Sequence, residues 1–386
     1  MRLVVFSALI LGIVALSGCS HTTSIQSVDL NGYWHDELFN PVPDVPSPEQ
    51  VFALPPKAKS ELLQSYNRAN MGSGNSISAH DWLSQQLRAD KGGFQYYDNY
   101  TRVAEVTYKE RQGNCMSLVV LSSAMADILN VPVEIYEVQV EPVWDKQGEF
   151  YLLNGHVNIK LMPPELMNTA YVRTGAIQVD FLPERAMRGY AKKKINRQTL
   201  LAMFYNNLAA EALIEKQQDK AYALIKQSLL QKPDFPPALN TLAILYRYRG
   251  HEDWAEDAYR LALKYTPEDL TTLYNLALLL GEQERLEEWA EIHKVLELAR
   301  IRNPYYYYDM AQQAFSDHEY QQALTWYLRA VEKADYRHEF YFGLSKAYWA
   351  TGNERKARQS LEKALALSRD GDRQRYQSKL NAMEHH

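Results

Sequence analysis

Two hydrophobic patterns divide most of this chain. Apolar and polar residues alternate in three short runs between residues 131 and 183, which are VPVEIYEVQV, HVNIKLM and AIQVDFLP. Because successive side chains of a strand point to opposite faces, these runs predict half-buried antiparallel strands. Before residue 130, apolar residues recur at helical spacing instead, including a run that begins at Cys115. Helices followed by strands predict an α+β domain over residues 49–198, with a helix packed on an antiparallel sheet.

From about residue 200 the pattern becomes helical and repeats every 34 residues. Large apolar residues recur at one position of this period, and small residues recur at two others. The three series are Leu208, Leu242, Leu276, Met310 and Leu344, then Ala209, Ala243, Ala277, Ala311 and Ser345, then Ala221, Ala255, Trp289, Ala323 and Ala357. Small residues let two helices approach closely, and large residues fill the space between units. Residues 199–371 are therefore predicted to form an all-α solenoid of five units, closed by a polar capping helix at 372–386.

The third unit departs from this period. Trp289 replaces a small residue, and Pro304 comes three residues later than the prolines that close the first two units. The other units keep their phase, and the series as a whole resembles the tetratricopeptide repeat. The resemblance implies that the first helix of each unit lines a concave groove that binds peptide segments.

The 34-residue step also gives candidate peptide-binding residues on these first helices. Aromatic rings suit apolar anchors of an extended peptide, and side-chain amides suit its backbone. The candidates are Asn206, Asn240, Tyr274, Tyr308 and Phe342, with Arg247 seven residues after Asn240. Part of this ladder can instead be packing between repeats.

The first 19 residues predict a secretory signal, because Arg2 is followed by an apolar run and then by small residues. Its end, LSGC, resembles the lipobox of bacterial lipoproteins, which implies that Cys19 is acylated and anchors the chain to the membrane. Ser20 resembles the sorting pattern for the outer membrane, so we expect a lipoprotein that faces the periplasm. An ordinary cleaved signal peptide is the alternative. Residues 20–48 are polar and contain prolines, and they predict a tether.

Composition adds constraints on partners and on chemistry. The net charge of -5 and the pI near 6.1 give no electrostatic basis for binding nucleic acid. There are only two cysteines, so a lipid on Cys19 leaves Cys115 without a disulfide partner. No histidines have the spacing of metal ligands, and we expect neither a metal nor a cofactor.

Cys115 has the setting of a nucleophile. Asn114 can cap the helix that begins at Cys115, so the thiol would lie at the positive end of that helix, which favours the thiolate. Free N–H groups there can also hold an oxyanion. His156 begins one alternating strand and Asp180 stands within another, and antiparallel strands can bring an imidazole and a carboxylate together.

This order of residues, in GNCMSL, GHVNIKL and VDFLP, resembles the transglutaminase-like superfamily of papain-type cysteine enzymes over about residues 85–190. The resemblance implies Cys115 as nucleophile, His156 as general base and Asp180 as the residue that orients the histidine. Met116 stands where animal transglutaminases carry tryptophan.

Two functional hypotheses follow. In the first, a membrane-anchored thiol enzyme acts on amide bonds of a polypeptide through a thioester, as a peptidase, an amidase or an acyltransferase, while the repeats bind substrate or partner. In the alternative, the chain is a non-catalytic tetratricopeptide-repeat scaffold with a degenerate transglutaminase-like domain.

Overall fold

The computed structural model describes the chain from residue 29 to residue 384 with several gaps. The described ranges are 29–71, 77–97, 100–139, 144–147, 150–153, 156–163, 175–179, 181, 191–301, 304–368 and 370–384. They form a front domain of helices around a small antiparallel sheet, followed by stacked helix pairs. Within these ranges, no helix has both the length and the apolar character needed to cross a bilayer.

The front domain is built around one buried helix. Its helices are α1 (Pro48–Val51), α2 (Pro56–Met71), α3 (Ala79–Leu87), α4 (Ala104–Glu110) and α5 (Cys115–Ile128). Most side chains of α5 are buried on every side, because helices α2, α3 and α4 and the sheet pack around it. A helix that is apolar all round is typical of the centre of a domain.

The main sheet is antiparallel and has the strand order β7-β6-β3-β8. Its strands are β3 (Val133–Gln139), β6 (His156–Leu161), β7 (Ile177–Val179) and β8 (Ala191–Ile195). Two smaller pairs are β1 (Gln95–Tyr96) with β2 (Gln112–Gly113), and β4 (Trp144–Gln147) with β5 (Phe150–Leu153). The antiparallel sheet predicted from the alternating runs is confirmed.

The alternation along β6 fixes which face of the sheet meets α5. Val157, Ile159 and Leu161 are fully buried and belong to the same core cluster as α5. Lys160 lies between them and takes the other face, as the two-residue period requires. The apolar face of the sheet therefore packs on α5.

Between residues 197 and 367 the chain forms five successive helix pairs, and a last helix follows. The helices are α6 (Arg197–Ile214) and α7 (Gln218–Gln231), α8 (Pro236–Tyr248) and α9 (Glu252–Tyr265), α10 (Leu270–Glu282) and α11 (Leu286–Arg300), α12 (Pro304–Ser316) and α13 (Tyr320–Lys333), α14 (His338–Ala350) and α15 (Glu354–Leu367), and α16 (Asp370–Glu384). The small residues at the predicted positions, such as Ala221, Ala255 and Ala323, are fully buried between helices. The predicted helical repeats are confirmed.

The third helix pair is irregular, and it is also the unit in which the sequence departs from the 34-residue period. None of the residues of α11 is buried, although the structure describes all of them. Tyr259 and Tyr327 fill the core of the second and fourth pairs, but the equivalent position in α11 holds His293, whose ring stacks on Trp289. The main core cluster extends from the front domain to α10, and separate clusters hold the fourth and fifth pairs.

The predicted tether needs a correction. Residues 29–47, which we call the N-terminal strap, pack on the first two helix pairs instead of hanging free. The Phe39 ring stacks on Tyr222 at 3.9 Å, and the His35 ring stacks on Trp254 at 3.5 Å. The Tyr222 hydroxyl donates a hydrogen bond to Asp36 at 2.9 Å. Aromatic side chains of the repeats thus hold a segment whose polar composition alone predicts a free linker.

Candidate functional site

The start of α5 has the local structure that the sequence predicts. The helix begins at Cys115, and the Asn114 side-chain oxygen accepts a hydrogen bond from the backbone N–H of Ser117 at 2.9 Å. A Cβ on Gly113 would approach the Ser117 Cβ to 2.8 Å, so this turn requires glycine. Cys115 is a free cysteine, and the residue is half-buried and packs against the main core cluster.

A polar network joins this turn to the first repeat. The Asn114 amide donates to the Thr101 hydroxyl at 3.0 Å, and the Thr101 backbone N–H donates to Glu211 of α6 at 2.7 Å. Burial raises the pKa of the Glu211 carboxyl, and the two hydrogen bonds from Thr101 oppose this shift only in part. The N-terminus of α5 is therefore fixed against the first helix pair.

The topology places Cys115 and His156 at the same end of the front domain. Only residues 129–132 join α5 to β3, so the helix and the strand run in opposite directions. Val138, near the end of β3, pairs with His156, the first residue of β6. The N-terminus of α5 and the start of β6 therefore lie at one end of the layer formed by helix and sheet.

The strand period gives the position of His156 within the sheet. Val157 faces α5, so the two-residue period assigns the adjacent His156 to the opposite face. The His156 side chain is buried there, with 4% of its surface exposed. Strand β7 ends at Val179, and both Asp180 and Cys19 lie outside the described residues. The structure thus places the ends that carry Cys115 and His156 at one end of the front domain.

The predicted asparagines of the groove connect neighbouring repeats. Asn240 is buried and accepts a hydrogen bond from the side-chain amide of Asn275 at 3.0 Å. Asn206 accepts one from the Thr241 hydroxyl at 2.8 Å. Both amides are thus engaged between the first helices of adjacent pairs.

Some of the remaining groove candidates also make contacts within the protein. Arg247 forms two hydrogen bonds with the carboxylate of Glu282, at 2.7 and 2.9 Å. The Tyr308 ring packs against Phe340 at 5.0 Å, and burial raises the pKa of Tyr308 to about 12. Tyr274 is half-buried on α10. Much of the predicted ladder is therefore packing between repeats, which was the alternative interpretation.

At the C-terminal end, Lys346, Arg375 and Tyr376 lie beside the predicted residue Phe342, and none of these three was predicted from the sequence. Phe342 stacks on Tyr376 of α16 at 4.7 Å, and the Arg375 guanidinium lies 5.0 Å from the Phe342 ring. The Lys346 ammonium lies 5.0 Å from the Phe315 ring and 5.5 Å from the Phe342 ring. Lys346 follows the predicted residue Phe342 by one helical turn. This spacing could have identified Lys346 as a groove residue from the sequence.

The described residues also include one large cavity. Its volume is about 1030 Å³, and it lies between the sheet and the loops of the first three helix pairs. Ile135, Ile195 and Phe235 line it together with charged residues, but Cys115 and His156 do not.

Among the described residues, no group of three or more His, Cys, Asp or Glu side chains is placed to hold a metal ion.

Comparisons with known proteins bear on the repeats. No curated protein sequence matches this chain. Among solved structures, TTC0263 of Thermus thermophilus, a tetratricopeptide-repeat protein, is 23% identical over 46% of this chain and 98% of its own, with a TM-score of 0.27. The structure of pilF from Pseudomonas aeruginosa is 16% identical over 46% of this chain and 81% of its own, with a TM-score of 0.28. YrrB, described as a tetratricopeptide-repeat protein with an unusual peptide-binding site, is 18% identical over 46% and 92%, with a TM-score of 0.24.

A family model for the tetratricopeptide repeat matches residues 338–370. This match coincides with α14 and α15, the fifth helix pair, and it does not extend to the front domain. The chain therefore contains tetratricopeptide repeats, of which the fifth pair matches the family model directly.

Proposed function

We propose that this chain is a scaffold that binds peptide segments of partner proteins on the first helices of its repeats. The proposal rests on apolar side chains that stay exposed on these helices. Trp349 on α14 is 44% exposed and Leu278 on α10 is 37% exposed. A few residues near the centre of an interface supply most of its binding energy, and Trp is enriched among them.

A peptide display screen against the full chain tests this proposal. We expect peptides that bind with a Kd in the micromolar range, about 8 kcal/mol of binding free energy. Trp349→Ala should weaken their binding at least about fivefold, because truncating an aromatic anchor costs at least about 1 kcal/mol. Leu230→Ala is the matched control, since Leu230 is also an exposed apolar residue but lies on the second helix α7. A screen that yields no binder, or binders equally affected by both variants, would contradict the proposal.

We propose as a second candidate a thiol enzyme in the front domain, similar to the transglutaminase-like superfamily and acting on amide bonds of a polypeptide. One observation favours it. Cys115 is a free, half-buried cysteine at a capped helix N-terminus, at the same end of the domain as His156. Backbone N–H groups at such a terminus stabilise negative charge.

Alkylation of Cys115 by iodoacetamide at neutral pH tests this candidate. An activated thiolate reacts faster in the folded chain than in the unfolded chain, and His156→Ala should slow that reaction. His293→Ala is the control, because His293 lies exposed on α11. If Cys115 reacts only after unfolding, the front domain is not a thiol enzyme.

We also propose that Cys19 carries a lipid that holds the chain at the outer membrane. The LSGC sequence and the apolar run before it support this proposal. Cells fed an alkyne analogue of palmitate should label the chain, and Cys19→Ser should abolish the label while Cys115→Ser should not. Equal labelling of both variants would exclude the anchor.

A further inference from the structure

Strand β8 forms one edge of the main sheet. It pairs with β3 on one side, and none of the described strands pairs with its other side. The outer backbone N–H and C=O groups of an edge strand can form hydrogen bonds with a further strand. The five residues of β8 extend over roughly 17 Å, which is the length of an ordinary strand. Strand β8 is therefore long enough to pair with an extended segment.

The side chains of this edge are basic. Lys192, Lys193 and Lys194 are consecutive and exposed. Lys192 and Lys194 lie on the polar face of the sheet, which points away from α5, together with Lys160 of β6. Glu134 of β3 lies on this face as well and pairs with Lys194 at 2.6 Å. On the described strands of the main sheet, the polar face thus carries three lysines and one carboxylate.

The opposite face of β8 borders the large cavity. Ile195 belongs to the main core cluster on this face, and it lines the cavity together with Phe235 and Tyr265 of the repeats. Lys193 also takes this face, where it stands opposite Glu137 of β3, so the two charges balance. The cavity, of about 1030 Å³, has room for a side chain of a segment placed beside β8. An added strand would thus meet apolar surface on one face and ammonium groups on the other.

The lysines restrict the kind of segment that fits this edge. A second copy of β8 would put lysines opposite lysines, and like charges directly opposite each other in a sheet are destabilising. Lysines on an edge strand are a common protection against such pairing. A strand with carboxylates at alternate positions would instead place opposite charges side by side on the polar face. Charge complementarity therefore favours an acidic segment of another protein.

We propose that the outer edge of β8 binds an extended acidic segment of a partner protein as a fifth strand of the main sheet. Backbone hydrogen bonds to β8 hold the segment, as in other cases of strand addition. Its carboxylates lie beside Lys192 and Lys194, and an apolar side chain enters the cavity near Ile195. This site belongs to the front domain, so it does not depend on the proposed binding of peptides by the first helices of the repeats.

Fluorescence anisotropy with the full chain tests the proposal. The probe is a fluorescein-labelled peptide in which glutamate alternates with valine, and the comparison peptide has the same residues grouped in two blocks. Only the alternating peptide places all its carboxylates on one face of a strand, so it should bind more tightly. Higher salt should weaken its binding, because the pairing charges are exposed. Equal affinities of the two peptides would overturn the proposal.

Backbone methylation separates strand pairing from simple attraction between charges. Two further alternating peptides carry methyl groups on the backbone nitrogens of either the glutamates or the valines. Alternate N–H groups of a strand point to opposite edges, so only one of these two peptides should lose binding. Similar affinities of the two methylated peptides would contradict an added strand.

Substitutions test the position of the segment. Lys192→Gln and Lys194→Gln should each weaken the alternating peptide about twofold to fivefold, as the loss of an exposed ion pair does. Lys160→Gln is the matched control, since Lys160 lies on the same face but two strands, roughly 10 Å, from β8. It should leave binding unchanged, and circular dichroism should confirm that all variants stay folded. Equal losses in Lys160→Gln and Lys192→Gln would refute the assigned edge.

Hydrogen exchange locates the bound segment without any substitution. The alternating peptide should slow the exchange of amide hydrogens over residues 192–195. Slower exchange there at high chain concentration without peptide would identify a second copy of the chain as the occupant and would overturn the proposal.

The variant Trp349→Ala separates this inference from the scaffold function. It should leave the affinity for the alternating peptide unchanged, although it weakens the peptides selected by display. A loss in Trp349→Ala, without protection of residues 192–195, would place the alternating peptide on the repeats. The scaffold proposal would then stand, and the proposed strand addition would be wrong.

Discussion

At the scale of single residues, the contact between the front domain and the repeats depends on a carboxyl group that is partly withdrawn from water. Glu211 lies on α6 and accepts a hydrogen bond from the Thr101 backbone, while Thr101 also contacts the cap residue Asn114. Burial raises the pKa of Glu211, so its ionised form is less stable in the folded chain than in the unfolded chain.

Glu211→Gln should therefore raise the melting temperature at pH 7 to 8. The amide oxygen can still accept the hydrogen bond from Thr101, but it carries no charge to bury. The sign follows from the raised pKa. Below the pKa of Glu211 in the unfolded chain, the carboxyl is protonated in both states, and burial does not lower the stability of the wild type. The wild type loses stability as the pH rises through the raised pKa of the folded chain, because the buried carboxyl then ionises. Melting curves between pH 4 and pH 8 should show a difference that vanishes at the acidic end. A constant difference, or a less stable variant at pH 8, would contradict this.

The residue scale also shows what a sequence can reveal. The cap of Asn114 on the helix at Cys115 was predictable, because a cap depends on a residue and its next few neighbours. The bond from Asn275 to Asn240 was not, because Asn275 is 35 positions away and one position off the 34-residue series. Contacts between repeats depend on how far neighbouring helices rotate, and spacing alone does not give that rotation.

At the scale of elements, a glycine allows a close contact between the fourth and fifth helix pairs. Gly343 on α14 faces the fully buried Tyr327 of α13, and a Cβ at Gly343 would lie 2.2 Å from the edge of that ring. The absent side chain lets the two helices and the ring occupy the same small volume.

Gly343→Ala should destabilise this region by about 1 to 3 kcal/mol, because the buried ring has to move in a well-packed core. Chemical denaturation gives the change in the free energy of unfolding. Gly32→Ala is the control, since a Cβ there meets nothing within 4 Å and its φ is not in the left-handed region. A loss equal to that of the control would show that Tyr327 relocates at no cost.

The helices and strands differ in how well they could be predicted from their sequences. The three alternating runs became β3, β6 and β7, but β8 has the sequence AKKKI and was missed. Three adjacent lysines give no alternation of apolar and polar residues, and an edge strand tolerates them because it has one paired side. The departure of the third repeat was visible in Trp289 and Pro304, and α11 is the helix of the described pairs without a buried residue.

At the scale of the whole molecule, the N-terminal strap ties the beginning of the described chain to the first two repeats. His35 of the strap and His251 of the repeats both stack on the Trp254 ring, with centroids at 3.5 and 4.0 Å. Lys226 pairs with Asp36 at 2.6 Å, and this hydrogen bond lowers the pKa of Asp36. Polar and apolar contacts thus hold the strap in place.

A chain that begins at residue 49 should be less stable than one that begins at residue 29. Loss of the strap exposes the rings of Tyr222 and Trp254, and we expect a cost of about 3 kcal/mol from the apolar surface alone. Thermal unfolding and size-exclusion chromatography measure the loss and any association of the exposed rings. Equal melting temperatures for the two chains would mean that the strap contacts add nothing to stability.

The strap was not predictable from the pattern that identified the repeats. Its composition is polar and rich in proline, which is typical of a linker. The repeat side chains that contact the strap are Tyr222, Tyr246 and Trp254. They do not recur every 34 residues, since the equivalent positions one unit later hold Glu256, Leu280 and Glu288. A contact made by one copy of a repeat leaves no periodic trace.

The docked strap would also limit the distance between the repeats and a bilayer in a chain that carries the proposed lipid on Cys19. With residues 29–47 fixed on the repeats, only residues 20–28 separate them from the proposed lipid on Cys19, a contour length of at most about 30 Å. A free linker over residues 20–48 would reach roughly 100 Å. With the proposed anchor, the proposed scaffold would bind its partners beside the membrane surface, and a partner would have to present its segment there.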